Sequence, residues 1–254
     1  MKNLYLLITA VCFLLFLSCA SVSEIDAIIE NEEIITVKDS VTDINNSDTI
    51  KHQAFKILAL GDSYTIGQSV CNTCRFPEQL VGSLLIQTEN KSTFPLKIIA
   101  RTGWTTTNLI NAIASEKIST DYNLVTLLIG VNNQYQNKSF SLYKEEFPKL
   151  VNMAIKAANS NMNNVIVVSI PDYAFTPFGQ GNPTISSDIK KYNDFAKSYC
   201  AEKNITFLNI TDITKMGLSN TALVANDGLH PSKLAYTKFV ERLLPIALEK
   251  LAKQ

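Results

Sequence analysis

Five short apolar runs, separated by segments of a different periodicity, constrain the fold of this chain more than any other feature. The runs are rich in β-branched and aliphatic residues and are bounded by turn residues, which predicts strands. They span residues 56–60, 96–100, 124–129, 165–170 and 206–209. Because the runs are almost continuously apolar, the strands should be buried on both faces, as in a parallel sheet covered by helices.

Three of the intervening segments repeat apolar residues at spacings of three and four, which predicts amphipathic helices. These segments span residues 143–158, 189–203 and 236–251. Pro245 falls inside the last one, and we expect it to kink or divide that helix because proline lacks an amide hydrogen. The alternation predicts a three-layer α/β/α sandwich around a five-stranded parallel sheet. Ligands of such sheets bind at the carboxyl ends of the strands.

The first nineteen residues, 1–19, have the features of an export signal. A short basic start precedes an uncharged apolar run over residues 4–17, shorter than the ~20 residues of a membrane-spanning helix. Cys19 follows a small residue, which resembles the lipobox of bacterial lipoproteins and implies lipidation of that cysteine. We expect a lipoprotein anchored to a membrane through Cys19 and facing the periplasm or the cell surface. The alternative is cleavage by an ordinary signal peptidase and a soluble periplasmic or secreted protein.

Residues 20–53 are acidic and contain little periodic apolar sequence. Such a segment cannot bury enough apolar surface to order itself, so it is predicted to be a flexible tether. An edge strand over residues 34–37 is the alternative. The folded domain is therefore expected over residues 54–254.

The charge distribution argues against a nucleic-acid partner. The chain has 23 Lys and Arg residues against 23 Asp and Glu residues, and no segment concentrates basic residues among aromatic ones. A nucleic-acid-binding protein needs a basic patch or stripe. The sequence does not determine the oligomeric state.

Polar clusters follow the first three predicted strands, and a fourth cluster precedes the last helix. They are Gly61-Asp62-Ser63, Arg101-Thr102-Gly103-Trp104, Gly130-Val131-Asn132-Asn133 and Asp227-Gly228-Leu229-His230-Pro231. The chain contains two histidines, and His52 lies in the predicted tether. If a histidine is a catalytic base in the folded domain, it is therefore His230.

These clusters, in this order, resemble the sequence blocks of the GDSL or SGNH hydrolases, which are serine esterases with a flavodoxin-like sheet. The resemblance covers roughly residues 55–254. It implies a catalytic triad of Ser63, Asp227 and His230. It also implies an oxyanion hole formed by the backbone amides of Ser63 and Gly103 and the side-chain amide of Asn132.

The chemistry explains why these residue types are needed. A serine hydroxyl becomes a good nucleophile when a neighbouring base takes its proton, and histidine serves near neutral pH because its unperturbed pKa is about 6.5. An aspartate fixes the histidine tautomer and stabilises the imidazolium. This chemistry needs no metal, and we expect no cofactor.

The chain departs from the family pattern at one position. The family commonly has Asp after the oxyanion asparagine, whereas Asn133 follows Asn132 here. An amide cannot carry the charge of a carboxylate, so orienting hydrogen bonds that depend on charge would differ. We interpret the change as a feature of a subfamily and not as a sign of lost activity.

Two cysteines and a long loop complete the candidate features. Cys71 and Cys74 follow the nucleophile, and in an exported protein a disulfide between them is favoured over a metal site, for which only two ligands are in view. Cys200 lies on an apolar helix face and is expected to be a buried thiol. Residues 171–183 are rich in aromatic residues and glycine, and they form either a flap over the active site or a packed structural loop.

Several polar and aromatic residues near the blocks are candidate substrate contacts, including the segment 134–136. The individual candidates are Asp62, Tyr64, Asn133, Tyr135, Tyr173 and Phe178. The predicted function is hydrolysis of esters that carry small acyl groups, such as acetyl, on carbohydrate or other small molecules. The alternatives are a lysophospholipase or thioesterase acting on lipid esters, and a non-catalytic glycan-binding surface lipoprotein.

Overall fold

The computed structural model describes residues 53–254. The predicted signal peptide, Cys19 and all of the predicted tether except its last residue lie outside the described residues. No helix among the described residues combines the length and the apolar character needed to cross a bilayer.

Five parallel strands form one sheet, and the predicted strands agree with the observed ones to within two residues at each end. The strands are β1 (Ile57–Gly61), β2 (Leu96–Ala100), β3 (Leu124–Leu128), β4 (Val165–Val168) and β5 (Thr206–Leu208). Their spatial order is β2-β1-β3-β4-β5, and every neighbouring pair is parallel. This is the flavodoxin-like order of a doubly wound α/β fold, so the predicted fold is confirmed.

Helices connect the strands and cover the sheet. They are α1 (Ser63–Ile66), α2 (Phe76–Gln87), α3 (Thr106–Glu116), α4 (Val131–Tyr135), α5 (Phe140–Ala157), α6 (Pro183–Glu202), α7 (Thr211–Thr214) and α8 (Lys233–Ala252). Helix α2 packs against α8, while α3 packs against α5 and α5 against α6. The three helices predicted from periodicity correspond to α5, α6 and α8.

Pro245 does not divide the last helix, which continues from Lys233 to Ala252. The buried residues of α8 lie on both sides of the proline, with Leu243 before it and Ala247 after it. Burial of this apolar face against the core offsets the lost hydrogen bond, since tertiary packing supplies most of a helix's stability. Of the two expected effects, division of the helix at Pro245 was therefore wrong, and a kink there stays a prediction.

The end of β1 is built so that the chain turns directly from strand into helix. A Cβ atom on Gly61 would lie 2.1 Å from Thr65 Oγ1 and 2.5 Å from the Leu128 carbonyl oxygen. Real Cβ atoms do not approach other atoms so closely, so only glycine fits here without displacing β3. The tight packing places Ser63 at the carboxyl edge of the sheet.

Candidate active site

Ser63 is the first residue of α1 and lies two residues beyond β1. Its surface is 4% exposed. Asp62 caps the helix, and its Oδ1 accepts a hydrogen bond from the Tyr64 amide at 3.0 Å. The strand, the glycine and the cap together fix the position of the serine.

Asp227 and His230 interact within one tight loop before α8. Nδ1 of His230 lies 2.6 Å from Oδ2 of Asp227. The other carboxylate oxygen, Oδ1, accepts hydrogen bonds from the backbone amides of Leu229 and His230, each at 2.9 Å. Because an ionised carboxylate only accepts hydrogen bonds, Nδ1 must carry the proton. Nε2 of His230 is then left as a base.

The histidine lies beside the helix that begins with the serine. The rings of Tyr64 and His230 are tilted against each other with centroids 5.6 Å apart. Tyr64 is the residue after Ser63 in the chain. The fold therefore brings the nucleophile block and the Asp-x-x-His block together, although they come from opposite ends of the domain.

Ser69 is a hydrogen-bond partner of the candidate triad aspartate, Asp227, and it was not identified from the sequence. Its Oγ donates a hydrogen bond to Oδ2 of Asp227 at 2.5 Å. The Ser69 backbone is left-handed, with φ of +66°, which turns the loop after α1 toward the aspartate. No residue pattern within this loop indicates such a contact, because its partner lies 158 positions away.

The hydrogen bonds around Asp227 keep it ionised. Partial burial raises the pKa of this carboxyl, but the hydrogen bonds from Ser69 and from the amides of His230 and Leu229 outweigh that effect. The net pKa lies well below the ordinary value of 3.8. Asp227 is therefore a carboxylate throughout the neutral range and can hold an imidazolium.

The two further oxyanion candidates, Asn132 and Gly103, lie on neighbouring segments that are joined by hydrogen bonds. Asn132 is on α4, and its Nδ2 donates to the Trp104 carbonyl at 3.0 Å. Nε2 of Gln136 donates to the Gly103 carbonyl at 2.7 Å. Gly103 has φ of +82°, and a Cβ there would meet nothing within 4 Å. The left-handed backbone, which residues with a side chain rarely adopt, explains why position 103 is a glycine.

Two of the predicted substrate contacts are wrong, because the side chains are fully buried. Asn133 has no exposed surface, and both of its amide atoms bind Thr106. Asp62 also has no exposed surface and is the N-cap residue of α1. Asp62 and Asn133 therefore support the neighbouring site residues through buried hydrogen bonds.

Burial without full hydrogen bonding favours the protonated, neutral form of the Asp62 carboxyl group. Burial raises its pKa to about 7, against the smaller opposing effect of the hydrogen bond from the Tyr64 amide. Within the described residues, its Oδ2 has no hydrogen-bond partner. The folded protein therefore holds the Asp62 proton more tightly than the unfolded chain does.

This shift predicts a pH-dependent gain in stability for Asp62→Asn. Between the ordinary pKa of 3.8 and about 7, the unfolded chain loses this proton first, so wild-type stability falls as pH rises through that window. An asparagine does not ionise. The free energy of unfolding of the variant minus that of wild type should rise with pH across the window and level off above pH ~7, as measured by urea unfolding. A difference independent of pH would contradict the assignment.

Three of the predicted aromatic contacts cluster at one side of the site. The ring centroids of Tyr135 and Phe178 are 6.1 Å apart, and both lie within 6.3 Å of Tyr173. Tyr135 and Phe178 are each 50% exposed, whereas Tyr173 is buried. The amide of Phe178 donates to the Gly228 carbonyl at 2.9 Å, so this ring is held against the loop that carries His230.

Tyr64 and Tyr173 form walls of a small cavity beside the histidine. Both side chains are largely buried. The cavity is also lined by His230 and Leu229, and its volume is about 10 Å³, close to the smallest volume that holds one water molecule. Substrate contact by these two tyrosines stays a prediction.

Residues 171–183 form a packed loop. The Gly181 amide donates to the Ala174 carbonyl at 2.7 Å. A Cβ on Gly179 would lie 2.0 Å from the Tyr173 carbonyl oxygen. The segment folds tightly on itself, which favours the packed structural loop over the flap.

The cysteines behave as the sequence predicts. Cys71 and Cys74 form a disulfide in the loop between α1 and α2. Cys200 is free and fully buried. Burial raises the pKa of its thiol to about 12, so it is unreactive at neutral pH.

Comparisons with known proteins agree with this fold. The model of the GDSL-like lipase/acylhydrolase family matches residues 59–238, which include all four blocks. No protein of curated function matches the chain.

Several solved structures share the fold. One is a variant of the acetyl xylan esterase Axe2 from Geobacillus stearothermophilus, with 18% identity, a TM-score of 0.59, and coverage of 76% of this chain and 94% of that one. The psychrotrophic esterase EstA from Pseudoalteromonas sp. has 19% identity, a TM-score of 0.57, and coverage of 78% and 99%. The lipase/acylhydrolase from Enterococcus faecalis has 20% identity, a TM-score of 0.56, and coverage of 77% and 95%. The family match spans more than half of the chain, and this protein belongs to the GDSL-like lipase/acylhydrolase family.

Proposed function

We propose that this protein is a serine ester hydrolase that forms an acyl-enzyme on Ser63 and removes small acyl groups, such as acetyl, from carbohydrate. The observation that carries the proposal is the 2.6 Å hydrogen bond between Asp227 and His230, in a loop packed beside the helix that begins with Ser63. A protonated Nδ1 held by a carboxylate leaves Nε2 free to take the serine proton.

In the first half of the reaction, Ser63 Oγ attacks the ester carbonyl as His230 Nε2 takes its proton. Asp227 stabilises the imidazolium that forms. When the tetrahedral intermediate collapses, the imidazolium gives its proton to the departing alcohol, and the acyl group stays on Ser63. In the second half, His230 takes a proton from the water that attacks the acyl-enzyme, and it returns this proton to Ser63 Oγ as the carboxylic acid leaves.

Both tetrahedral intermediates carry a negative oxygen that needs hydrogen-bond donors. The backbone amides of Ser63 and Gly103 and the side-chain amide of Asn132 supply them in this proposal. One hydrogen of Asn132 Nδ2 is used by the Trp104 carbonyl, which orients the amide and leaves its second hydrogen for the oxyanion. Loss of one such donor costs about 2.7–4 kcal/mol of transition-state stabilisation.

The aromatic surface beside the site and the named activity of one structure with the same fold support a small acyl group on a sugar. The half-exposed rings of Tyr135 and Phe178 offer flat apolar surfaces beside the site, which suit the apolar face of a sugar ring. One structure with the same fold is named an acetyl xylan esterase. The N-terminal features predict export to the periplasm or the cell surface.

Removing the two exposed rings should weaken carbohydrate binding without harming the chemistry. For the double variant Tyr135→Ala/Phe178→Ala, we expect kcat/KM on an acetylated xylo-oligosaccharide to fall about tenfold, mainly through KM, since each aromatic contact contributes ~0.5–1.5 kcal/mol. Turnover of p-nitrophenyl acetate should change less than about twofold. Ile86→Ala is the matched control, because Ile86 is exposed on α2 and far from the predicted site.

The same assays separate the alternatives. A wild-type preference for long-chain p-nitrophenyl esters over the acetate would favour a lysophospholipase or thioesterase. A folded wild-type protein that neither reacts with a fluorophosphonate probe nor turns over any ester would favour a glycan-binding protein without activity. Equal loss on both substrates in the double variant would contradict the role of the rings in sugar binding.

A further inference from the structure

A buried polar network joins three helices directly beneath the candidate oxyanion hole. Asn133 on α4 and Thr106 on α3 are fully buried, and Glu146 on α5 is 7% exposed. The Thr106 amide donates to Asn133 Oδ1 at 2.9 Å, and Asn133 Nδ2 contacts Thr106 Oγ1 at 2.6 Å. Thr106 Oγ1 in turn contacts Oε2 of Glu146. Buried polar groups of this kind must be paired with matching donors and acceptors.

The directions of these hydrogen bonds follow from counting hydrogens. A backbone amide can only donate, so the oxygen of the Asn133 side chain must face the Thr106 amide, and its NH₂ group faces Thr106 Oγ1 and donates to it. The carboxylate of Glu146 can only accept. The single hydroxyl hydrogen of Thr106 is therefore committed to Glu146, and the hydroxyl oxygen accepts from Asn133.

Glu146 is held in place by a second threonine and by the helix it faces. Thr107 Oγ1 donates to the Glu146 carboxylate, at 2.7 Å from Oε1 and 2.9 Å from Oε2. Thr106 and Thr107 open the first turn of α3, where a negative charge is favoured by the helix dipole. No lysine or arginine in the described part of the chain forms a salt bridge with Glu146.

The network holds both sides of the oxyanion hole. Asn133 directly follows Asn132 on α4, a helix of five residues. Thr106 begins the helix that follows the loop of Gly103 and Trp104. The hydrogen bonds of Asn133 to Thr106 therefore fix the position of α4 relative to that loop, and with it the direction of the Asn132 amide.

We propose that Asn133 is a positioning residue for Asn132, and that the buried Glu146 requires residue 133 to be an amide and not an acid. The inference rests on the proposed function. An aspartate at position 133 would have the same shape but would only accept hydrogen bonds. It would then compete with Glu146 for the one hydroxyl hydrogen of Thr106, and two carboxylates would face each other in a buried site.

A double-mutant cycle tests this match. We expect Asn133→Asp to lower kcat on p-nitrophenyl acetate by about tenfold or more, with KM within about twofold of wild type, because the oxyanion hole acts on the transition state. Glu146→Gln alone should cost less than about threefold, since a glutamine can still accept from one threonine and donate to the other. The double variant should recover to the level of Glu146→Gln.

A fall in kcat with KM almost unchanged is the result that a merely structural role would not produce, and the recovery assigns that fall to the hydrogen-bond match. In the double variant, the aspartate accepts the hydroxyl hydrogen of Thr106, and the glutamine NH₂ donates to the hydroxyl oxygen of Thr106. Every group is then paired again. Additive losses in the double variant, an unchanged kcat in Asn133→Asp, or a loss confined to KM would each overturn the proposal.

Thermal unfolding of the same four proteins provides a readout that does not depend on turnover. The loss of melting temperature in Asn133→Asp should be relieved by Glu146→Gln. If Asn133→Asp does not fold, a folded double variant supports the match, and a double variant that also fails to fold overturns it. A wild-type protein without ester turnover refutes the proposed function. Losses of melting temperature that simply add in the double variant would separately refute the hydrogen-bond match.

Asn152→Asp is the control for the chemical change itself. Asn152 is exposed in the second half of α5, away from the sheet edge that carries Ser63. The same amide-to-acid replacement there should leave kcat and melting temperature at wild-type values. A comparable loss in this control would show that the effect at position 133 is not specific to the network, and it would overturn the proposal.

Discussion

Replacing Ser63 with alanine is expected to abolish ester turnover, with a fall in kcat on the order of 10⁶-fold. The hydroxyl is the only proposed nucleophile, and His230 and the oxyanion donors have no covalent step to assist without it. Ser63 is a small, nearly buried residue that begins α1. Alanine occupies this position without strain, so the variant should fold and bind substrate.

Two measurements check the role of Ser63. Wild-type protein should gain the mass of one fluorophosphonate adduct and hydrolyse p-nitrophenyl acetate, and the Ser63→Ala variant should do neither. Ser115→Ala serves as the matched control, because Ser115 is exposed on α3 and donates to its own helix. Adduct formation that persists in Ser63→Ala would place the nucleophile elsewhere.

Asp227→Asn should lower kcat by about 10⁴-fold, although the replacement has nearly the same shape. The amides of Leu229 and His230 occupy Oδ1, so the oxygen of the new amide must stay there. Its NH₂ group then takes the place of Oδ2 and faces Nδ1 of His230. Nδ1 becomes an acceptor, the ring proton moves to Nε2, and the histidine can no longer accept the serine proton.

The tautomer change distinguishes this explanation from general damage. Nitrogen NMR of the imidazole should show the proton of His230 on Nδ1 in wild type and on Nε2 in Asp227→Asn. The control Asp194→Asn removes an exposed carboxylate that pairs with Lys190 on α6, and it should leave kcat unchanged. Activity of Asp227→Asn within about tenfold of wild type would contradict the proposed role of the aspartate.

The strands and the sequence positions of the blocks were predictable because short apolar runs and strand-end polar residues are local signals, whereas the flavodoxin-like strand order was implied only by the family resemblance. Helices α2 and α3 were not located from periodicity. In α2, apolar residues continue from the buried Leu84 to the exposed Ile86. The sequence therefore shows no single apolar face for this helix. In α3, the clearest signal is a capping box formed by Thr105 and Asn108, which marks where a helix begins but not how far it extends.

The orientation of side chains next to the catalytic residues was not predictable. Asp62 and Asn133 each neighbour a candidate site residue in the chain, and the side chains of both turned out to be fully buried. Which way such a residue points depends on the turn geometry of a helix of only four or five residues, which carries no periodicity. Ser69 and Glu146 were missed for a related reason, since their partners are set by tertiary packing.

The bond between Ser69 and Asp227 joins residues 158 positions apart in the chain, and this has a consequence for when activity can appear. During synthesis the nucleophile leaves the ribosome long before the histidine does. In the proposed mechanism Ser63 has no base until the final helix has docked, so we expect the nascent chain to be inert toward esters. Hydrolysis should then begin only with completion of the fold, and loss of activity in denaturant should follow global unfolding.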